Sequence, residues 1–256
     1  MISSTSHPAS ASLTERRKAA TRMEIARAAA GLFVSRGLKA TRAEDIALAA
    51  GIAPRTFYRY FATKEEAVAP LYAAGAQRWA EAVREAPAEL TVPEALEHAV
   101  RYTLVPGRGV SAASWEWVRT LIRLAGTSPA LGKVWAEVCH TSEATLAQVL
   151  TERTAASSRT PASESASEST PEAISDVSSG AAADATSAPA PAPDNVASPY
   201  QRFTAAVAGA AVRVAVESWA VTDSPPTGRQ GPAELALRNL RALRGFAWEE
   251  SPAEEP

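Results

Sequence analysis

Gly51–Glu66 reads GIAPRTFYRYFATKEE, and the way its side chains divide decides the fold. Seven positions, Arg55 to Phe61, hold aromatic rings, two arginines and a threonine, with Pro54 before them and Lys64 after. Rings favour burial and guanidinium groups favour water, so one surface cannot satisfy both. A helix can. Phe57 and Phe61 are four apart and share a face, and with Ile52 and Ile46 they can pack on Phe33 and Leu32. That leaves Arg55, Thr56, Tyr58 and Arg59 turned away from the core.

The flanking sequence supplies helix signals in order. Leu13–Arg36 carries Ile25, Ala28, Ala29, Leu32 and Phe33 at spacings of three and four. Gly37 ends that helix, and Leu38 is placed for the apolar contact of a Schellman ending. Thr41 with Glu44 reads as a capping box opening a short helix to Ala50. Gly51 turns the chain, and Pro54 suits a first turn that needs no N–H donor. A second box, Thr63 with Glu66, is expected to open a long helix striped by Val68, Leu71, Tyr72, Gly75, Trp79 and Val83.

Helix, capped short helix, glycine turn and short helix make a helix-turn-helix. Charge agrees. Thr14 to Lys64 holds eleven Lys/Arg against four Asp/Glu, a balance of +7, so a chain of net −2 carries −9 elsewhere. A basic module on an acidic remainder points to a polyanion partner for the first part. An arginine fork fits guanine O6 and N7, and threonine suits a phosphate or a thymine methyl. Tyrosine hydroxyls suit phosphate oxygens. Lys64, and Thr41 with Arg42, are expected in first turns of the flanking helices, where free N–H groups and the helix dipole favour phosphate. Arg16, Arg17 and Lys18 read either as an arm toward the backbone or minor groove or as a disordered basic leader.

The run ATRAEDIALAAGIAPRTFYRYFATKEEAV, Ala40–Val68, resembles the DNA-binding segment of the tetracycline-repressor (TetR) family of bacterial regulators. The glycine turn, the Thr-Phe-Tyr-x-Tyr-Phe run and the following lysine match in order and spacing. The resemblance implies an all-α homodimer. Three N-terminal helices would bind a palindromic double-stranded DNA operator, and a C-terminal helical bundle would bind a small-molecule effector and dimerise. It also implies that Arg55 and Arg59 read bases, that Thr56 touches a base or phosphate, and that Tyr58, Tyr60 and Lys64 hold phosphates.

The sequence departs from the family in two places. Ala53 stands where the family often has a serine or threonine cap, a loss of about 1 kcal/mol. Pro70 falls inside the expected fourth helix, where it should kink the chain and offers a hinge between effector site and DNA reader.

The remaining sequence reads as helix without strands. Residues 1–12 are expected to be a disordered tail, 13–62 the DNA-binding domain, and 63–154 with 200–248 the effector and dimerisation domain. Ala155–Pro199, with six prolines and no Leu, Phe, Tyr or Trp, is expected to be a disordered insertion. Roughly 190 residues are then left to fold.

All six tryptophans lie beyond Lys64. Trp117, Leu121 and Leu124 share one helical face, and Trp135, Val138, Ser142 and Leu146 share another. Ordinary core and the lining of an apolar cavity both fit such faces. On the second reading Trp117, Leu121, Leu124, Trp135 and Ser142 are the candidate effector contacts. The stretch LIRLAGTSPALGKVW, Leu121–Trp135, is similar to a TetR subgroup of actinobacterial type thought to bind acyl-CoA-like ligands. Arg119 and Arg123, four apart, read as a solvated face or as anion contacts.

The last two helices suit dimerisation. Phe203, Val207, Ala210 and Val214 line one, and Leu240 and Leu243 extend the seam on the other.

A single cysteine, Cys139, excludes an internal disulfide, and His140 beside it lacks the further ligands of a metal site. No cofactor motif is present. No secretory signal or membrane span is expected, which fits a cytoplasmic protein. No nucleophile–base pair or phosphate-binding glycine loop supports an enzyme. The leading expectation is a repressor released from its operator by an apolar or acyl-CoA-like ligand. A helical interaction module that does not bind DNA and a helical enzyme are the alternatives.

Overall fold

The computed structural model describes residues 12–107, 112–159 and 196–248. Among them the regular structure is helical: α1 Leu13–Arg36, α2 Ala43–Ala49, α3 Pro54–Tyr60, α4 Ala69–Arg84, α5 Val92–Thr103, α6 Ala112–Thr127, α7 Pro129–Arg159, α8 Pro199–Ala220 and α9 Pro232–Ala242. No described helix is long and apolar enough to cross a membrane.

Helix α1 ends at Gly37, whose φ of 83° is cheap only for glycine. Ile25, Ala29, Ala30 and Phe33 of α1 are buried with Ile46, Ala47, Phe57 and Phe61, and Ile52 and Leu32 close the cluster's edge. The division of the Arg55–Phe61 run into buried and outward residues is therefore as the sequence indicates. That core does not stop at the helix-turn-helix. Tyr72 of α4, Leu121 and Ala125 of α6, and Leu131 and Val134 of α7 belong to the same cluster. A second cluster joins α4, α5, α7, α8 and α9 around Leu96, Val100, Leu146 and Leu237. A third sets Trp115 edge-on to Trp219, with ring centroids 5.5 Å apart.

Several boundaries differ from the sequence reading. Helix α2 opens at Ala43 with Arg42 as its cap, and the carboxylate accepting the Arg42 N–H is Asp45, at 2.9 Å. Thr41 and Glu44 form no box, because the Thr41 hydroxyl donates to the Gly37 carbonyl at 2.9 Å. The Thr63–Glu66 pair does bond, the Glu66 N–H donating to Thr63 Oγ1 at 3.2 Å, but it opens a 3₁₀ turn, Glu66–Val68. Helix α4 starts only at Ala69, so Pro70 sits in its first turn. The expected interior kink is absent there: a first-turn residue has no intrahelical N–H bond to lose.

Helix α7 continues to Arg159 and α8 begins at Pro199, so helix enters both ends of the segment read as unstructured. Alanine-rich turns propagate easily once α7 has nucleated. Ser198 caps α8 in a box with Gln201, a signal present in the sequence but not read there. The expectations for 1–11 and 160–195 lie outside the described residues.

Candidate nucleic-acid interface and cavity

Helix α3 is short, and its orientation comes from what grips it. Phe57 and Phe61 anchor its back. The Arg22 guanidinium of α1 lies 4.8 Å from the Phe61 ring centroid and donates to the Tyr60 carbonyl at 3.4 Å. This satisfies one of the orphan carbonyls at the end of the helix. Arg55, Tyr58 and Arg59 are exposed together on the front, with Thr56 and Tyr60 half-buried beside them. The Arg59 guanidinium lies 5.4 Å from the Tyr60 ring centroid.

The phosphate clamp is altered in two places. Thr41 is only 1% exposed, with its hydroxyl turned into the protein, so its side chain offers nothing to a partner. Lys64 follows α3 in a turn, not in a helical first turn, and its Nζ donates to the carbonyls of Leu38 and Thr41 at 2.7 and 2.8 Å. Of three ammonium hydrogens, two hold the loop leading into α2. Arg42 is exposed at the α2 N-terminus, as expected. Arg16, Arg17 and Lys18 are neither arm nor disordered leader; they are exposed in the opening turns of α1.

One contact on the front has no counterpart in the sequence reading. The Tyr58 hydroxyl donates to Glu44 of α2 at 3.2 Å. This places a carboxylate among the outward cations and occupies the phenol proton.

Behind this module lies a cavity of about 420 Å³ between α4, α6, α7 and α8, with the end of α5 at its edge. Leu121, Trp135 and Ser142 line it, with Tyr72, Trp79 and Trp115. Trp117 and Leu124 do not. A Cβ added at Gly31 of α1 would stand 3.4 Å from the Trp117 ring, and Leu124 packs at the edge of the α1 core. The shared face of α6 is thus divided: Leu121 borders the cavity while Trp117 and Leu124 turn toward the DNA-binding module.

Tyr72 joins the two sides. Its hydroxyl donates to the Leu121 carbonyl at 2.9 Å, and its ring meets Trp135 edge-on at 5.0 Å. Burial pushes this phenol well above its ordinary pKa, so it stays a neutral donor. Trp135 Nε1 donates to Glu217 at 2.6 Å. Cys139 also lines the cavity, and burial pushes its thiol up to about 11, so it is protonated at neutral pH.

Arg119 is not part of a solvated face, whereas Arg123 is exposed with its guanidinium bonded to the chain. Arg119 is buried, its guanidinium 4.4 Å from the Trp219 ring centroid and bonded to the Ser224 carbonyl. Arg123 donates to the Ala220 carbonyl at 3.1 Å and the Thr222 carbonyl at 3.3 Å. Arg123 thus satisfies the last carbonyl of α8 and Arg119 holds the segment that follows it, partners that spacing alone could not show.

On the far side, α8 presents an apolar stripe: Phe203 is 54% and Val214 44% exposed, with Val207 and Ala210 half-buried between them. Leu240 is 4% exposed and belongs to the internal core, and Leu243 packs against that core. Leu240 is thereby corrected as a dimer contact, whereas Leu243 is half-buried and packs on that core as Val207 does.

Residues 25–69 match the family model described as bacterial regulatory proteins, tetR family. Over 72 residues, 28% of this chain, the sequence is 42% identical to the HTH-type transcriptional regulator TcmR of Streptomyces glaucescens. That alignment spans 32% of TcmR, so the chain matches about a third of its curated relative's length. Among solved structures, the Thermus thermophilus FadR, a TetR-family transcriptional repressor in complex with lauroyl-CoA, aligns at 23% identity over 92% of this chain and all of its own, with a TM-score of 0.48. A Rhodococcus sp. protein assigned to the same family aligns at 14% identity over 88% of this chain and 98% of its own, with a TM-score of 0.49. Structural likeness at this level bears on neither function nor ligand.

Proposed function

Through residues 25–69 this chain belongs to the tetR family of bacterial regulatory proteins, and from that premise we propose that it is a cytoplasmic, ligand-responsive transcriptional repressor. The observation that carries the reading is the division of α3. Phe57 and Phe61 are buried, while Arg55, Tyr58 and Arg59 are exposed on one front beside Arg42. Arg55 and Arg59 read base edges in the major groove, and Thr56, Tyr58, Tyr60 and Arg42 meet sugar and phosphate. Lys64 sets the α2 loop first and adds its charge to the backbone second.

One α3 covers only a few base pairs, so operator-level specificity needs two copies on a palindrome. The exposed α8 stripe, Phe203 to Val214, favours a homodimer built on α8. A small molecule in the α4–α6–α7–α8 cavity presses on Tyr72 and Leu121, two residues that also belong to the α1 core. A shift there tilts the reading helices relative to each other and releases the operator.

A gel-shift titration with the gene's own upstream DNA tests this. Saturable binding by a dimer, lost in Arg55→Ala and in a monomeric Val214→Asp variant, is the expected result. No binding at low salt would remove the repressor reading and leave a helical interaction module.

A further inference from the structure

The cavity's chemistry narrows what enters it. Its walls are aromatic: Tyr72, Trp79, Tyr102, Trp115 and Trp135 all line it. Gly75, in the middle of α4, also lines the cavity, and a Cβ added there meets no atom within 4 Å. An interior helical glycine costs stability, and here it leaves room at the wall.

The charged lining is not what a polyphosphate needs. Glu81, Glu85 and Glu143 line the cavity against Arg78 and Arg213, and Arg213 is paired with Glu217 at 3.2 Å. The five charged groups of the lining sum to −1, and the charge of Arg213 is met by Glu217 outside the lining. A lining with more carboxylates than cations and several rings favours a cation over an anion, since the quadrupole of each ring face adds to the same sign of field.

On the premise that this cavity is the effector site, we propose that the effector is a flat aromatic cation, and not an acyl-CoA or other polyanion. The rings stack on its faces, the carboxylates of Glu81, Glu85 and Glu143 balance its charge, and the volume of about 420 Å³ suits a drug-sized molecule. The acyl-CoA-like expectation drawn from Leu121–Trp135 is replaced by this one.

Calorimetric titration of the full chain without DNA tests the class with three probes: 10-methylacridinium, its near-isosteric neutral relative 10-methylacridone, and lauroyl-CoA. The cation is expected to bind about tenfold more tightly than the acridone, a difference within reach of cation–π and charge terms. In a Glu81→Gln/Glu85→Gln/Glu143→Gln variant that preference should vanish while acridone affinity stays unchanged. Gly75→Trp, which fills the wall, should abolish binding of both acridines with an unchanged far-UV spectrum. Equal or tighter binding of acridone or lauroyl-CoA overturns the cationic class, as does a preference that survives the triple substitution. Undiminished acridine binding by Gly75→Trp places the probe elsewhere and overturns the site. Because no DNA is present, a failed gel shift would sink the repressor reading without altering these outcomes.

Discussion

Helix α3 and the aromatic cavity are both made of aromatic and charged side chains, yet they are organised by opposite rules. Along α3 the two chemistries alternate within seven residues, and the helical repeat sorts them into a buried back and an exposed front. Around the cavity the rings come from α4, α5, α6 and α7, with no two of them in one short run. The first site is local and the second is assembled. A local site can be read from one stretch of sequence, whereas an assembled one depends on how long helices cross.

The contrast has a limit that experiment can probe, because both sites lean on one core. Phe57→Ala should cost about 3–5 kcal/mol, the range for emptying a buried aromatic site. Since Phe57 shares its cluster with Leu121 and Leu131, urea melts by tryptophan fluorescence and by circular dichroism should still coincide. Two separate transitions would show that the helix-turn-helix folds independently of the body.

Arg59→Ala against Lys64→Ala sharpens the division within the DNA module. Arg59→Ala should lose about 1–3 kcal/mol of affinity for the preferred operator, relax its sequence preference and leave the melting temperature unchanged. Lys64→Ala should lower the melting point by removing two bonds to the Leu38 and Thr41 carbonyls, about 1–3 kcal/mol in all, and weaken every sequence alike. A Lys64→Ala protein that melts like the parent would return this lysine to a purely phosphate-binding role.

Tyr72→Phe targets the junction. Loss of the hydroxyl bond to the Leu121 carbonyl should cost about 0.5–1.5 kcal/mol by thermal melts. It should also reduce effector-induced DNA release without changing DNA affinity in the absence of effector. Unchanged release would move the coupling away from Tyr72. The smallest effect is expected from Glu44→Gln. Removing the carboxylate beside Tyr58 should tighten all DNA by about 0.2–1 kcal/mol at low salt, the range for exposed charge pairs. That gain should fade as added salt screens it.

Much of the DNA module was legible because its signals act over three or four residues. Leu13–Arg36, the glycine turn and the start of α3 at Pro54 appear where the sequence puts them. The bonds of Thr41 and Lys64 were not legible, because their partners, the carbonyls of Gly37, Leu38 and Thr41, are backbone groups that no residue identity announces. Pro70 was misplaced because the helix expected to follow a Thr63 cap starts five residues later, at Ala69, which turns an interior kink into an ordinary first turn. In the body, the faces of α6 and α7 were visible as apolar stripes. Which half of a stripe met the cavity and which met α1 was not, since Trp117 and Leu121 differ only in the neighbour each meets.

By itself, then, the sequence determined the helices, the basic reading front on a buried aromatic back, and the presence of a ring-rich helical body. Those features follow from periodicity, capping and charge, which are properties of neighbouring residues. Tertiary structure alone decided that Leu240 is core, and that Arg123 closes the end of α8 while Arg119 holds the loop after it. It also decided that Tyr72 ties the cavity to the α6 backbone, and that more acidic than basic side chains line that cavity. Each of these depends on which helices meet and at what register, a quantity set by the packing of the whole chain.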